Sequence, residues 1–306
     1  MADFSNLLPP YWDKNITAWL QEDIPSFDYG GFVVGEKEEV AFLLGKSKAV
    51  LAGVPFFNEV FKQVGCKVEW LIKEGDYFEP ITKVAIVSGK AKNILQGERL
   101  ALNIVSRCSA IATKGYHLNS LKKKHAFKGI IAGTRKTTPG FRLVEKYGML
   151  VGNIDTHRMD LSTMIMLKDN HIWSQGSISA AVQRARMSGG FSVKIEVECR
   201  SEAEAEEAIC SGADIIMLDN MVPPELHETA CRLKNKWLRS LENGAYKFLI
   251  EASGGIDLDT ISNYFNDGKA LNNSSNFSDI DVISLGSMTQ GVPHVDFSLK
   301  IQRHKQ

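Results

Sequence analysis

Residues 193–220, VKIEVECRSEAEAEEAICSGADIIMLDN, indicate the fold class most clearly. Its apolar run at residues 193–197 predicts a strand, the segment 201–211 predicts a helix, and the run at residues 215–218 predicts a second strand. Two strands joined by a helix predict a βαβ unit, in which the strands lie parallel in one sheet. The stretch therefore indicates an α/β fold.

A similar alternation extends on both sides of this unit. Short apolar runs begin after Lys122-Lys123-Lys124, and helical patterns lie between several of them. The runs cover residues 129–132, 149–152, 164–167, 193–197, 215–218, 248–252 and 282–285. Such a series predicts a closed or nearly closed α/β barrel, and an open doubly wound sheet is the structural alternative.

The residues before this series predict a separate domain of mixed helices and strands. Helical patterns cover residues 7–23 and 94–121, and strand-like runs lie between them. We place an N-terminal domain at residues 1–114, a catalytic domain at residues 115–290, and a C-terminal segment at residues 291–306. Because this last segment contains an apolar stretch, we expect it to pack back on the N-terminal domain.

The composition gives no sign of a nucleic-acid or membrane partner. The chain has 306 residues, 44% of them hydrophobic, and its 36 Lys and Arg residues balance 36 Asp and Glu residues. A zero net charge argues against a general attraction to nucleic acid or to an anionic membrane. The cysteines form no CxxC pair, and neither a bilayer-spanning stretch nor a signal-peptide pattern is present. We therefore expect a cytoplasmic protein with reduced thiols, and the nucleus as a further location.

Polar residues follow every apolar run of the series. They occupy residues 133–136, 153–158, 168–171, 198, 219–220, 251–255 and 286–287. In a parallel α/β barrel the carboxyl ends of the strands meet on one face, where active sites lie. Any single segment of this kind can be explained as a helix cap or as a loop whose polar groups are hydrogen-bonded. Seven such segments in succession, which mix cations, carboxylates and glycines, favour a binding site.

Charged and aliphatic residues alternate in the strand at residues 193–198. Lys194, Glu196 and Glu198 share one face, because successive side chains of a strand point to opposite faces. In a barrel this face points inward, where charges must pair with one another or bind a ligand or a metal. The alternative is an exposed edge strand, which is less common because parallel strands are usually covered on both faces.

The neutral net charge hides a local concentration of cationic residues. Its members are Arg135, Lys136, His157, Arg158, Lys168 and His171. An arginine fork matches a carboxylate or a phosphate in two hydrogen bonds, and a lysine supplies a point charge. The set suits a ligand with several anionic groups, and the alternative is a charged surface in water.

Two glycine turns follow the last predicted strands. They are Ser253-Gly254-Gly255 and Gly286-Ser287. Glycine lets the backbone approach a phosphate closely, and phosphate sites in barrels often use the last loops of the chain. A phosphate site and a purely structural tight turn are both open interpretations of these residues.

Several motifs resemble those of the quinolinate phosphoribosyltransferase family, in order along essentially the whole chain. They are GER at residues 97–99, TRKTTPGFR at 134–142, HRMDL at 157–161, LKDNH at 167–171, EVE at 196–198, LDN at 218–220 and EASGG at 251–255. Two features depart from the family pattern. Gln290 stands near a position that is histidine in some members, and the polar segment 272–276 resembles an insertion and predicts a surface loop.

The resemblance implies a fold and an assembly. The expected fold is an N-terminal open-faced α/β sandwich followed by a C-terminal α/β barrel, an incomplete TIM-like barrel. The expected assembly is a homo-oligomer in which a dimer is the smallest active unit and Arg99 comes from the neighbouring subunit. A hexamer, as in some eukaryotic members, is a further possibility for the assembly.

The resemblance also implies a reaction and its residues. Phosphoribosyl pyrophosphate and quinolinate would give nicotinate mononucleotide, pyrophosphate and CO2 in NAD biosynthesis. The implied quinolinate-binding residues are Arg99, Thr134, Arg135, Lys136, His157, Arg158 and Lys168. The implied residues for phosphoribosyl pyrophosphate are Lys136, Lys168, Glu198, Asp219, Ser253, Gly254, Gly255 and Gly286. Of these, Lys136, Lys168, Glu198 and Asp219 would be catalytic, and Glu198 and Asp219 would hold Mg²⁺.

Three alternatives stay open at this point. One is a nicotinate-type phosphoribosyltransferase that works without decarboxylation. Another is a barrel aldolase or decarboxylase that forms a Schiff base on Lys168 or Lys194. The third is a non-catalytic sensor of an anionic metabolite.

Overall fold

A computed structural model describes residues 3–237, 247–265 and 279–302. The predicted surface loop at residues 272–276 lies outside these residues. The chain forms two compact units. The first unit comprises Met1–Tyr116, Thr138–Asn153 and Gly291–Gln306, and the second comprises His117–Thr137 and Ile154–Gln290.

Helices and strands alternate along the described residues. The α-helices are α1 (Asp13–Asp23), α2 (Tyr29–Val34), α3 (Val54–Gln63), α4 (Ala91–Lys124), α5 (Arg142–Val151), α6 (Asp169–Gln175), α7 (Ile178–Gly189), α8 (Glu202–Cys210) and α9 (Pro223–Trp237). The strands are β1 (Glu38–Gly45), β2 (Ala49–Val50), β3 (Lys67–Trp70), β4 (Tyr77–Phe78), β5 (Thr82–Lys90), β6 (Ile130–Ala132), β7 (Ile165–Leu167), β8 (Ile195–Cys199), β9 (Ile215–Asp219), β10 (Leu249–Ser253), β11 (Val282–Ser284) and β12 (Phe297–Ile301). Short 3₁₀ turns occupy Phe4–Leu7, Ile261–Tyr264 and Gly286–Met288.

The first unit contains an antiparallel sheet in the order β12-β1-β5-β3. Strand β12 comes from the end of the chain and pairs with β1, with Ala41 opposite Ile301. In β1 the buried residues Ala41, Leu43 and Gly45 alternate with less buried ones, as expected for a sheet with one covered face. The core of the unit includes the aromatic residues of α3.

Residues 138–153 belong to the first unit, although our sequence boundaries place them in the second domain. Their helix, α5, packs against α4 so closely that a Cβ atom on Gly148 would lie 2.7 Å from the carbonyl oxygen of Cys108. The buried carboxylate of Glu145 accepts a hydrogen bond from Nη2 of Arg107 at 2.8 Å. The predicted strand at residues 149–152 is wrong, because its residues continue α5, whose buried Val144, Tyr147 and Val151 follow helical spacing.

The second unit contains a parallel sheet of six strands in the order β6-β11-β10-β9-β8-β7. From β7 to β11 each strand lies beside the one before it, and β6 pairs with β11. A doubly wound sheet would reverse direction partway, so this order is that of a barrel opened between β6 and β7. Helices α7, α8 and α9 connect successive strands. The predicted α/β class with an N-terminal sheet domain is therefore confirmed.

Local signals explain where the connecting helices begin. The side chain of Ser177 accepts a hydrogen bond from the backbone N–H of Ala180, and Ser201 does the same for Glu204, which satisfies donors that a helix start leaves free. Among the described residues no helix combines the length and the apolar character needed to cross a membrane.

Candidate active site

A cavity of about 680 Å³ opens where the strands of the parallel sheet end. All of its lining residues belong to the second unit. The predicted site residues that line it are Thr134, Arg135, Lys136, His157, Arg158, Lys168, Glu198, Asp219, Ser253, Gly254, Gly255 and Gly286. Residues absent from our predicted set also line it, namely Met166, Met217, Asn220, Glu251, Ile256, Asp257, Ser284, Ser287 and Gln290.

Three residues from the sequence analysis lie elsewhere. Lys194, expected on the inward face with Glu196 and Glu198, is exposed and precedes β8, because the strand begins one residue later. Arg99 lies on α4 in the first unit, and its contribution to a neighbouring subunit stays a prediction. His171, which we grouped with the cations, accepts a hydrogen bond at Nδ1 from the backbone N–H of Lys168 at 3.1 Å, in the first turn of α6. It lines a separate groove beside α6 and α7, because its ring is used to complete the helix start.

The strand β8 carries two of the acidic groups, as its alternation indicates. It lies between β7 and β9, so the alternative of an exposed edge strand is wrong. Glu196 is fully buried, and Glu198 lines the cavity. The ammonium group of Lys168, just after β7, forms an ion pair with Oε2 of Glu198.

Asp219 at the end of β9 adds a second carboxylate to the cavity wall. Burial raises the pKa of Asp219, and the nearby carboxylate of Glu198 raises it further, while Lys168 and Lys136 act in the opposite direction. Two neighbouring carboxylates repel each other, and a cation between them would relieve that repulsion. Carboxylate oxygens are ligands that Mg²⁺ prefers, so Glu198 and Asp219 form a donor set that fits this ion.

Arg135 and Arg158 place two like charges near each other in the cavity. Burial lowers the pKa of the Arg158 guanidinium, and the charge of Arg135 lowers it further. The Nε atom of Arg135 is buried and has no hydrogen-bond partner within the described residues. Buried donors are nearly always satisfied, so an anionic ligand is the partner that this arrangement suits.

The glycine turn after β10 lies against the end of β9. Gly254 has φ +108° and Gly255 has φ +62°, a region that favours glycine. The backbone N–H of Asn220 donates to the carbonyl oxygen of Ser253 at 2.9 Å. At the second predicted turn, Gly286 leaves room for the side chain of Lys136. A Cβ atom at residue 286 would lie 3.0 Å from Cδ of that lysine.

Glu251 is a cavity residue that our sequence analysis did not assign. It lies in β10 and its carboxylate oxygens are 3.2 and 3.3 Å from Nε2 of His157. Glu196 lies behind this pair, with its Oε2 3.7 Å from the same Nε2. Burial raises the pKa of Glu196 and the charge of Glu251 raises it further. Alternation in β10 could have placed Glu251 on one face, but the histidine contact has no sequence signal.

A metal ion is a further candidate ligand for His157, Glu196 and Glu251. Their potential ligand atoms all lie within 4.8 Å of one another. The hydrogen bonds of the histidine argue against that use. Nδ1 of His157 accepts from the backbone N–H of Arg158 at 2.8 Å, so in the neutral ring the hydrogen resides on Nε2. In this tautomer the Nδ1 lone pair already accepts from Arg158 and Nε2 carries the hydrogen, so neither nitrogen is available to a metal in this arrangement.

Comparison with known proteins identifies the family. Residues 111–300 match the family model described as "Quinolinate phosphoribosyl transferase, C-terminal domain", and residues 28–109 match the corresponding N-terminal domain model. The chain is 50% identical over 317 residues to "Nicotinate-nucleotide pyrophosphorylase [carboxylating]" of Dictyostelium discoideum, covering 98% of this chain and 99% of the relative. The human protein of the same name is 44% identical, with 96% and 93% covered.

Solved structures agree with the sequence comparison. NadC from Streptococcus pyogenes superimposes with a TM-score of 0.82 at 33% identity, covering 99% of both chains. The nicotinate-nucleotide pyrophosphorylase from Francisella tularensis gives a TM-score of 0.82 at 28% identity, covering 99% of this chain and 100% of that one. With its cavity of cations, paired acids and glycine turns, the chain belongs to the quinolinate phosphoribosyltransferase family.

Proposed function

We propose that this chain transfers the phosphoribosyl group of phosphoribosyl pyrophosphate to quinolinate with decarboxylation. The products are nicotinate mononucleotide, pyrophosphate and CO2, and the step belongs to NAD biosynthesis. The observation that carries the proposal is one cavity lined by two arginines, two lysines, two neighbouring carboxylates and a glycine turn. The carboxylating relatives, which match along nearly their whole length, support the same reaction.

Quinolinate carries two adjacent carboxylates on a pyridine ring, and the arginines suit it. Each guanidinium of Arg135 and Arg158 can meet one carboxylate in two hydrogen bonds. Their mutual repulsion is relieved when two negative charges bind between them. A substrate held in this way presents its ring nitrogen in a fixed direction, which lowers the entropic cost of the reaction.

The two neighbouring carboxylates of the cavity are suited to stabilise the transferred sugar. Glu198 and Asp219 can stabilise the positive charge that develops on the ribosyl ring as pyrophosphate departs, directly or through hydroxyl groups. Lys136 and Lys168 supply positive charge for the departing pyrophosphate. Glu198 and Asp219 would hold Mg²⁺, and the bound ion would neutralise part of the pyrophosphate charge. The turn at Ser253–Gly255 offers backbone N–H groups to the 5′-phosphate.

The bonding changes need no organic cofactor. The ring nitrogen of quinolinate forms a bond with the anomeric carbon while the bond from that carbon to pyrophosphate breaks. The resulting ring nitrogen is cationic. When the bond to the 2-carboxylate breaks, its electron pair stays at ring carbon 2 next to this cation, CO2 leaves, and the carbon takes up a proton from solvent.

The quaternary structure and the location are part of the proposal. We propose a homo-oligomer whose smallest active unit is a dimer with Arg99 reaching the neighbouring cavity, and a hexamer as the larger assembly. We propose the cytoplasm, and secondarily the nucleus, as its location. Mixing an Arg99→Ala variant with a Lys136→Ala variant tests the dimer, because heterodimers would regain one complete cavity. A mixture no more active than its components would contradict the shared cavity.

The experiment that tests the activity combines the protein with phosphoribosyl pyrophosphate, Mg²⁺ and either quinolinate or nicotinate. We expect nicotinate mononucleotide from quinolinate only. Turnover of nicotinate at a comparable rate would favour the monocarboxylate alternative. The Schiff-base alternative is disfavoured because the amine of Lys168 forms an ion pair with Glu198, whereas a Schiff-base lysine needs its amine free to attack a carbonyl. Lys194, the other lysine of this alternative, is exposed and does not line the cavity. Borohydride trapping with a carbonyl substrate would reveal such an adduct.

A further inference from the structure

Lys136 lies in a segment that has no regular secondary structure. Residues 133–137 of the second unit follow β6 and belong to no helix or strand. Within the segment, the backbone N–H of Lys136 donates to Oγ1 of Thr134 at 3.1 Å. The N–H of Thr137 donates to the carbonyl oxygen of Arg135 at 2.8 Å. Such local bonds shape the segment, but the place of Lys136 in the cavity depends on contacts with other parts of the unit.

Thr289 supplies such a contact from the end of the unit. Its hydroxyl donates to the carbonyl oxygen of Lys136 at 2.6 Å, across 153 positions of the chain. A second acceptor, the carbonyl oxygen of Gly286, is 3.3 Å from the same hydroxyl. The hydroxyl has a single hydrogen, so the shorter bond to Lys136 is favoured. Thr289 is only 6% exposed, and water therefore competes little for this hydrogen bond.

The backbone around Thr289 is itself held in place. Its N–H donates to the carbonyl oxygen of Gly286 at 3.2 Å and closes the 3₁₀ turn Gly286–Met288. This turn comes just after β11, an inner strand of the parallel sheet. The hydroxyl of Ser287 donates to the carbonyl oxygen of Ile256, next to the glycine turn after β10, at 3.0 Å. A group held by packed elements of this kind has a well-defined position.

The same 3₁₀ turn borders the side chain of Lys136. A Cβ atom on Gly286 would lie 3.0 Å from Cδ and 3.5 Å from Nζ of this lysine, so the lysine stem passes over the glycine. In the part of the chain that the structure describes, no ion pair of the cavity includes Lys136, whereas the ammonium group of Lys168 pairs with Glu198. The position of the Lys136 charge therefore depends on its backbone and on this glycine.

We propose that Thr289 is a positioning residue for the reaction: it holds the carbonyl group of Lys136 at the turn after β11 and thereby places the lysine charge beside the departing pyrophosphate. Gly286 of the same turn belongs to the residues expected to bind phosphoribosyl pyrophosphate, so Thr289 fixes Lys136 relative to the other contacts of this reactant. A small misplacement of such a charge is costly to the rate. The inference rests on the proposed function, which assigns pyrophosphate to Lys136.

The first test compares Thr289→Val with Thr289→Ser. Valine has nearly the shape of threonine but no hydroxyl, whereas serine keeps the donor and loses a methyl group. In Thr289→Val we expect kcat to fall about 10-fold and the Kd of pyrophosphate, measured by calorimetry with Mg²⁺, to rise about 10-fold. In Thr289→Ser both values should stay within about threefold of the wild type. The KM for quinolinate should change by less than about threefold in both variants.

The second test asks whether the effect passes through the lysine side chain. We expect Lys136→Ala to raise the Kd of pyrophosphate about 10-fold or more. Adding Thr289→Val to Lys136→Ala should change this Kd by less than about twofold, because the charge that Thr289 positions is gone. Multiplied effects would show that Thr289 acts through another group and would overturn the proposal. An unchanged Kd in Lys136→Ala would remove pyrophosphate from this lysine, and the inference with it.

Thr229→Val is the matched control for the loss of a buried hydroxyl. Thr229 is a buried residue of α9, accepts a hydrogen bond from Nη2 of Arg232 at 3.2 Å and does not line the cavity. Its kcat and its Kd for pyrophosphate should match the wild type. Circular dichroism and thermal unfolding establish that each variant is folded. If Thr289→Val does not fold, the comparison of Thr289→Ala with Thr289→Ser carries the test.

The outcomes separate this inference from the function on which it rests. Absence of turnover in the folded wild type would contradict the proposed function. Wild-type turnover and weakened pyrophosphate binding in Lys136→Ala, together with an unchanged kcat and Kd in Thr289→Val, would overturn this inference alone. A KM for quinolinate that rises as much as the Kd of pyrophosphate would show that Thr289 supports the whole segment and would also overturn it.

Discussion

A Cβ atom on Gly254 would lie 2.4 Å from Oδ1 of Asn220 and 2.7 Å from its backbone nitrogen. The two residues follow neighbouring strands, and the N–H of Asn220 donates to Ser253. The turn that is proposed to hold the 5′-phosphate is therefore pressed against the end of β9, where Asp219 lies. Only a residue without a side chain fits this contact.

Gly254→Ala should damage both the turn and substrate binding. The clash involves backbone, and overpacking of this kind costs about 1–3 kcal/mol in addition to the cost of a positive φ. We expect a lower melting temperature and a rise of about 10-fold or more in the KM for phosphoribosyl pyrophosphate. Gly255→Ala is the matched control, because nothing lies within 4 Å of its added Cβ atom and only backbone strain remains. Equal effects of the two substitutions would contradict the close packing.

Arg135→Ala and Arg158→Ala should each lower kcat/KM for quinolinate by about 100-fold or more, because each removes a two-point contact with a charged group. The fold should persist, since both residues line a cavity. Arg135→Lys and Arg158→Lys keep the charge and lose the fork, so they should fall between alanine and the wild type. Near wild-type kinetics in both alanine variants, measured with folded protein, would rule out the assigned substrate pocket.

Asp219→Asn should weaken the binding of Mg²⁺ in the cavity. Loss of one proposed carboxylate ligand should raise the half-saturating Mg²⁺ concentration by about 10-fold or more, measured by titrating the ion at saturating substrates. Asp257→Asn is a suitable comparison, since Asp257 also lines the cavity but uses Oδ1 to accept from the backbone N–H of Thr260 at 2.9 Å. A similar Mg²⁺ dependence for Asp219→Asn and the wild type would remove Asp219 from the metal site.

Glu74 in the first unit should give stability a specific dependence on pH. Its carboxylate accepts from Tyr147 and from the N–H groups at the start of α3, but burial is the largest effect and raises its pKa. The native state therefore holds the Glu74 proton more tightly than the unfolded state. The associated stability is complete below the unfolded pKa of about 4.3 and is lost as pH rises through the folded pKa.

Glu74→Gln tests this dependence. The glutamine keeps an acceptor for the two backbone N–H groups and does not titrate. We expect the free energy of unfolding of the variant, relative to the wild type, to increase as pH rises from about 4 to 7. Denaturant unfolding at several pH values measures the difference. A constant difference, or one that decreases over this range, would show that burial does not dominate at Glu74.

The sequence predicted the parallel sheet well because the strand and helix patterns of residues 193–220 are local. It also predicted that polar residues following the strands would meet, since side chains that follow parallel strands lie at one edge of the sheet, but it did not single out other lining residues such as Met217 and Ser284. The run at residues 149–152 was misassigned because four apolar residues have no measurable period. Its place in α5 becomes clear only from the buried residues that precede it, Val144 and Tyr147.

Other features depend on contacts that no local pattern encodes. The place of α5 in the first unit follows from the close approach of Gly148 to Cys108. His171 resembles the other cations in the sequence, yet its ring caps α6. Glu251 stands in a strand-end motif, but its contact with the ring of His157 joins residues far apart in the chain and has no local sequence signal.

Quinolinate labelled with ¹³C in one carboxylate at a time can follow the fate of each carboxylate during the reaction. With phosphoribosyl pyrophosphate and Mg²⁺, the 2-carboxylate label should appear as CO2 in equal amount to nicotinate mononucleotide, and the 3-carboxylate label should remain in the nucleotide. Nucleotide formed without release of the 2-carboxylate label, or no nucleotide at all from folded protein, would contradict a decarboxylating phosphoribosyl transfer in this cavity.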